Sequence, residues 1–245
     1  MYLFFVEKEN IGAQTARITG PDVNHIKNVL RMRPGSRLRI SDGERVCYSC
    51  EITELSDEAV DLKLLERDED GTELPARIVL YQCLPKGDKM EWIIQKNTEL
   101  GVSRIVPVAS RRAVVRLDEK KAAAKVRRWS MIAESAAKQS KRTVIPGVAP
   151  VMGFREAVDE AADSDCKLFP YENTDGMAAT RAALSAVKPG MRIAVFIGPE
   201  GGFEEEEAEY AREKGFMLVS LGRRILRTET AGMCLLSELM LRLER

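Results

Sequence analysis

Two stretches near the C-terminus repeat one plan. Residues 192–207 read RIAVFIGPEGGFEEEE, an apolar run that ends in a glycine-rich turn and four consecutive glutamates. Residues 216–231 read FMLVSLGRRILRTETA, again an apolar run, a glycine and a polar loop entering a helix. A strand, loop and helix used twice in succession brings both loops to one edge of a parallel sheet, where such proteins bind ligands. The C-terminal part is therefore α/β, and the question is which ligand the loops hold.

Gly198, Gly201 and Gly202 allow close backbone approach, as in a phosphate cradle, or they form only a tight turn. The spacing is neither G-x-G-x-x-G nor the P-loop pattern. Glu204 to Glu207 fall in the first turn of the next helix, where they suit its dipole and read as a solvated helix start. Four carboxylates at that position repel a pyrophosphate. A nucleoside ligand without phosphate, or one with positive charge, fits better, and S-adenosylmethionine meets both descriptions.

The second loop carries Arg223, Arg224 and Arg227, then Thr228, Glu229 and Thr230. Either threonine is placed to cap the last helix. Guanidinium forks bind phosphate and stack on bases, which points to a nucleic-acid substrate.

With these residues in view, the chain resembles the RsmE family of ribosomal RNA methyltransferases, in the SPOUT superfamily. The resemblance rests on IGPEGGF and LGRRILRTETA, and on NHIKNVLRMRPG (24–35), QKNTELGVSRIVPV (95–108) and RRWSMIAESAAKQSKR (127–142). It implies methylation of uridine N3 in small-subunit (16S) ribosomal RNA by S-adenosyl-L-methionine, by a homodimer. It also implies a C-terminal SPOUT-type parallel sheet tied in a trefoil knot, and a small N-terminal PUA-like β-barrel. Departures occur at Arg111-Arg112-Ala113, where relatives tend to an acidic-basic-serine run, at Lys138, often glutamate, and at Lys141, commonly glycine. Competing readings are a SPOUT methyltransferase acting on another RNA nucleotide and a non-catalytic ribosome-assembly RNA binder.

Charge distribution agrees with an RNA partner. The chain is neutral, with 38 basic and 38 acidic residues. Residues 1–75 hold 10 basic and 15 acidic side chains, net −5, whereas 86–150 hold 15 and 6, net +9. No apolar stretch approaches a membrane span, and the start MYLFFVEKEN lacks the form of a signal peptide, so a soluble cytoplasmic protein is expected. Cys47 and Cys50 have no second pair, and His25 is the single histidine. A zinc site is not expected, and a Ser-His-Asp hydrolase is excluded.

Periodicity places strands at 37–41, 46–53 and 59–66, with a hairpin at Asp42-Gly43 and a short helix over 22–31. The charged segment 66–76 marks a boundary, giving 1–72 as an RNA-binding barrel and 73–245 as the methyltransferase domain. Beyond it, strands are expected at 78–84, 105–109, 166–169, 193–197 and 217–221, with helices between them. The last helix, over 229–243, carries an apolar stripe that is most simply core, with width left for a subunit contact.

The implied roles follow the matching motifs. Donor binding is expected from Ile197, Gly198, Pro199, Gly201, Leu221, Gly222, Ile225 and Leu226, with Tyr171 and Glu172 as a third wall. Arg227 is expected to stabilise the uracil oxyanion, and Glu200 to accept the N3 proton. RNA contacts are expected from Arg111, Arg112, Arg116, Lys138, Lys141 and Arg142, and from Lys27, Arg31 and Arg33. His25 reads as a packed interdomain residue, with base stacking or a bond to phosphate as the alternative.

Overall fold

The computed structural model describes residues 1–69, 71–172 and 176–244, and divides them into two compact units. Unit 1 comprises Met1–Glu73 and Ala137–Ile145. Unit 2 comprises Leu74–Ala136 and Pro146–Arg245.

Unit 1 is a five-stranded sheet of β1 (Leu3–Phe5), β2 (Thr15–Thr19), β3 (Arg37–Ser41), β4 (Cys47–Leu55) and β5 (Ala59–Asp68), in the order β1-β3-β4-β5-β2. The β3–β4 pair is the hairpin expected at Asp42-Gly43, with Gly43 at φ 77. Periodicity did not indicate β1 and β2, because β1 has three residues and the alternation in β2, buried at Ala16 and Ile18, spans only five. Inward-facing Phe4, Ile18, Leu38, Ile40, Ile52 and Leu62 close one core. The helix over 22–31 is shorter than expected: α1 (Pro21–Asn24) continues as a π-turn, His25–Val29, and Arg31 leaves it at φ 52.

The segment Ala137–Ile145 belongs to this unit and is held by polar contacts. Ser41 Oγ donates to the Thr143 carbonyl at 2.6 Å, and Thr72 Oγ1 donates to the Lys141 carbonyl at 3.0 Å. Arg142 and Glu73 pair with side-chain exposures of 4% and 8%.

Unit 2 is a parallel sheet of β6 (Arg77–Cys83), β7 (Arg104–Ala109), β8 (Gly147–Val148), β9 (Met152–Gly153), β10 (Cys166–Pro170), β11 (Arg192–Ile197) and β12 (Met217–Val219). Its order is β12-β10-β11-β6-β7-β8, with β9 also on β7. The helices are α2 (Lys89–Glu99), α3 (Glu119–Ser140, whose last turn counts with unit 1), α4 (Phe154–Glu160), α5 (Ala178–Ser185), α6 (Glu205–Glu213) and α7 (Thr228–Leu243). Strands covered on both faces read as nearly continuous apolar runs. Alternate residues supply two cores: Ile78, Leu80, Ile193 and Val195 on one face, Tyr81, Cys83, Ala194 and Phe196 on the other. No helix among the described residues is long and apolar enough to cross a membrane.

From β6 the chain moves one way to β7 and β8, while β11, β10 and β12 lie on the other side. The loops after β6 and β11 therefore leave the sheet side by side, at its switch point.

Candidate active site

A cavity of about 420 Å³ opens at the carboxyl ends of β10, β11 and β12. One wall is the turn after β11, with Ile197, Gly198, Pro199, Glu200, Gly202 and Phe203. The segment 219–228 forms a second wall, which includes Leu221, Gly222, Ile225 and Leu226. Pro170, Tyr171 and Glu172 form the third, and Lys89 and Ala231 complete the lining. Gly201 is outside it. An added Cβ on Gly201 lies 3.3 Å from Arg112 Cβ, so a neighbouring side chain accounts for this glycine. Gly202 is required for another reason, a backbone at φ +67 that L side chains rarely adopt.

The glutamates after the turn are not simply a solvated helix start. Glu204 accepts from Arg112 Nη2 at 2.9 Å, and Glu206 pairs with Arg111. Glu207 is buried, accepting from the Arg111 backbone N–H at 2.9 Å and from its own helix start at Glu204 N at 3.0 Å. Arg112 Nη1 also donates to the Gly201 carbonyl at 3.0 Å. Arg116 is bound to the carbonyls of Ser110 and Arg111 at 3.1 Å each. Hence the run after β7 and the acidic run after β11 hold each other, and the Arg112 guanidinium keeps the Glu204 carboxyl below its ordinary range.

Glu200 is similarly occupied. Its carboxylate accepts from the Lys86 backbone N–H at 3.1 Å and from Lys89 Nζ at 2.7 Å. Burial opposes its ionisation, but the Lys89 ammonium and the backbone N–H groups outweigh that, and its pKa is lowered. A carboxylate so held is a poor proton acceptor.

The second loop joins the first through Thr228. Its hydroxyl accepts from the buried Gln82 Nε2 at 2.9 Å and donates to the Gly198 carbonyl at 2.6 Å. Neither Thr228 nor Thr230 caps α7. The N-cap position is Arg227, without a side-chain cap, because the Thr228 hydroxyl is already committed to Gly198. Sequence reasoning missed Gln82 altogether. A glutamine inside a strand that reads as continuous core was the available signal, since a fully buried amide needs partners.

Arg227 lines the cavity and is exposed. Among the described residues, the side chains of Arg223, Arg224 and Arg227 make no hydrogen bond or ion pair. The other expected RNA contacts belong to unit 1 or are described above. Lys27 pairs with Asp57 at 2.5 Å and Lys138 with Asp22 at 3.0 Å, while Arg142, buried on Glu73, is closed to a phosphate. Arg31, Arg33 and Lys141 are exposed, and Lys141 stands at φ 61. His25 is exposed rather than packed, edge-on to Phe4 with centroids 6.3 Å apart. Among the described residues no cluster of three or more His, Cys, Asp or Glu side chains is arranged to hold a metal.

Comparison with known proteins gives two family matches: an RNA methyltransferase domain over residues 72–240 and an RNA methyltransferase PUA domain over 18–65. The chain is 39% identical to ribosomal RNA small subunit methyltransferase E of Bacillus subtilis (strain 168), over 97% of this chain and 95% of that protein. Its structure is similar to a ribosomal RNA small subunit methyltransferase E from Neisseria gonorrhoeae bound to S-adenosyl methionine, with TM-score 0.84, 36% identity, and coverage of 97% and 95%. It is also similar to a putative methyltransferase of Legionella pneumophila in complex with bound S-adenosyl methionine, with TM-score 0.85, 31% identity, and coverage of 98% and 97%.

Proposed function

The chain belongs to the ribosomal RNA small subunit methyltransferase E family, and from that premise we propose that it methylates N3 of a uridine in 16S ribosomal RNA of the small subunit, using S-adenosyl methionine. The observation that carries this reading is the cavity at the sheet's switch point, with Arg227 in its wall and without a partner among the described residues.

The cavity suits that donor on its own chemistry. Its volume is in the range of small-molecule sites. Residues 223–226 make no hydrogen bond among the described residues, which leaves their backbone groups open to a purine edge. Glu172 offers an acceptor for ribose hydroxyls. When bound, the donor supplies an electrophilic methyl carbon on a positively charged sulfur.

What the chain adds is position and charge. The two loops, joined by Thr228, hold donor and base in fixed relation, and alignment of this kind supplies much of a transfer rate. The target uridine enters unpaired, because N3 is inaccessible in a base pair. Arg227 stabilises the negative charge that the uracil gains as the N3 proton leaves. Glu200 keeps the first loop on the start of α2 and does not take that proton, which passes to solvent.

Three finer features belong to the same reading. The segment after edge strand β12 crosses the carboxyl ends to Gln82 on β6, a path consistent with a trefoil knot around the cavity. The protein acts as a homodimer, and exposed Trp92, Met131 and Leu241 are candidates for its contact. It works in the cytoplasm, where its substrate is assembled.

The test is transfer of labelled methyl from S-adenosyl methionine to small ribosomal subunits that lack the modification, followed by nucleoside analysis. Label in 3-methyluridine is expected. Label in another nucleoside would move the reading to a different RNA position. No label, with no donor binding, would leave an RNA-binding assembly factor.

A further inference from the structure

Four cationic side chains line the cavity: Lys89, Arg223, Arg224 and Arg227. Lys89 is neutralised, with Glu200 at 2.7 Å and Glu229 at 3.6 Å. The other three have no side-chain partner among the described residues. Cations on the neighbouring turns are held in place. Arg111 and Arg112 are held by Glu206 and Glu204, and Arg116 by two carbonyls. In the other unit Lys138 is matched by Asp22.

We propose that Arg223 and Arg224 grip the phosphates of the RNA strand beside the nucleotide that enters the cavity. The inference rests on the RNA-methylating reading and adds where the strand is held. Arg223 and Arg224 are both exposed, and they are followed by Ile225, which is 89% exposed. Gly222, at φ +107, turns the chain into this projecting loop. A guanidinium with all its donors free meets a phosphate through two parallel hydrogen bonds, and an arginine already forked onto a carboxylate must first break that pair. Arg227 is next to the start of α7 and is left for the base. Arg223 and Arg224 precede it on the rim, where the backbone of an extruded nucleotide must cross. Two phosphates gripped on the rim hold a flipped nucleotide without reading its sequence.

The test uses the full-length protein, small ribosomal subunits lacking the modification, and S-adenosyl methionine. The variant Arg223→Ala/Arg224→Ala is compared with Arg181→Ala/Lys188→Ala, which removes two exposed cations outside the cavity. The rim variant is expected to raise KM for subunits about tenfold or more and to lower the slope of log affinity against log salt by roughly 1.5. Its donor affinity, measured by calorimetry, is expected to stay within about twofold, since alanine keeps the backbone groups of 223 and 224 that face the donor and removes only the side chains on the rim. The control variant is expected to match the wild type in all three. An unchanged KM and salt slope in the rim variant would overturn the proposal, as would a loss of donor affinity as large as the change in KM. If the wild type itself transfers no methyl and binds no RNA, the underlying functional reading fails instead.

Discussion

Thr228 and Gly198, thirty positions apart in sequence, are joined by a 2.6 Å hydrogen bond from hydroxyl to carbonyl. The same hydroxyl accepts from Gln82 on the central strand β6. Three segments that line or support one cavity are thereby registered by a single buried oxygen.

Replacing Thr228 with Val keeps the shape but leaves the Gln82 amide and the Gly198 carbonyl short of a partner. A loss of about 1–3 kcal/mol in stability is expected, with donor affinity several-fold weaker. Thr228→Ser is expected to stay close to wild type in both. Chemical denaturation and calorimetry read the two effects, and wild-type donor binding in the valine variant would remove Thr228 from the site.

Arg112 spans the Gly201 carbonyl and the Glu204 carboxylate with one planar fork. A lysine cannot do this, so Arg112→Lys is expected to weaken donor binding nearly as much as Arg112→Ala. Stability should change little, because the pair is substantially exposed to solvent. Full rescue by lysine would mean that charge alone matters.

Arg227→Ala is expected to lower kcat by on the order of a hundredfold, the usual cost of losing one oxyanion donor. Donor affinity should change by less than about twofold. Single-turnover rates and calorimetry separate the two, and near-normal turnover would end the assignment.

The pH response follows from the signs of the shifts. The Glu200 and Glu204 carboxyls are lowered from 4.5, so their contribution is complete above that value and lost as pH falls through the lower folded pKa. Lys89 is raised from 10.5, so its contribution is complete below that value and lost as pH rises through the higher folded pKa. These three groups are therefore expected to cost no stability between about pH 5.5 and about pH 9. Replacing Glu200 with Gln should reduce the loss of stability at low pH, and an acid unfolding profile unchanged by that replacement would show that Glu200 is not tied as described.

Lys141 occupies a left-handed conformation at φ 61. The strain is about 1–2 kcal/mol, partly offset because glycine loosens the unfolded chain. Lys141→Gly is expected to stabilise the protein by about 0.5–1 kcal/mol. A denaturation midpoint that falls instead would mean that the lysine side chain makes a compensating contact.

The parallel strands were legible because burial on both faces leaves long apolar runs, as in RIAVFI. The hairpin at Asp42-Gly43 was legible because a positive φ demands such residues. The strands Leu3–Phe5 and Thr15–Thr19 were not, since short segments pair only through partners distant in sequence. The return of Ala137–Ile145 to the N-terminal unit left no periodic mark either, because its anchors are single polar contacts such as Ser41 to Thr143.

By itself the sequence determined the α/β character of the C-terminal part, the two loops, their glycines and the absence of a phosphate-binding pattern. All of these are local: they depend on spacing, backbone freedom and nearby charge. Only the tertiary structure decided which charges are spent and which are free. Arg111 and Arg223 read alike as exposed basic residues, yet one meets Glu206 and the other meets no partner among the described residues. The same holds for Glu200, a candidate base in the sequence and an ion-paired anchor in the fold. Charge pairing across some hundred residues is set by how strands stack into a sheet, and no local pattern encodes it.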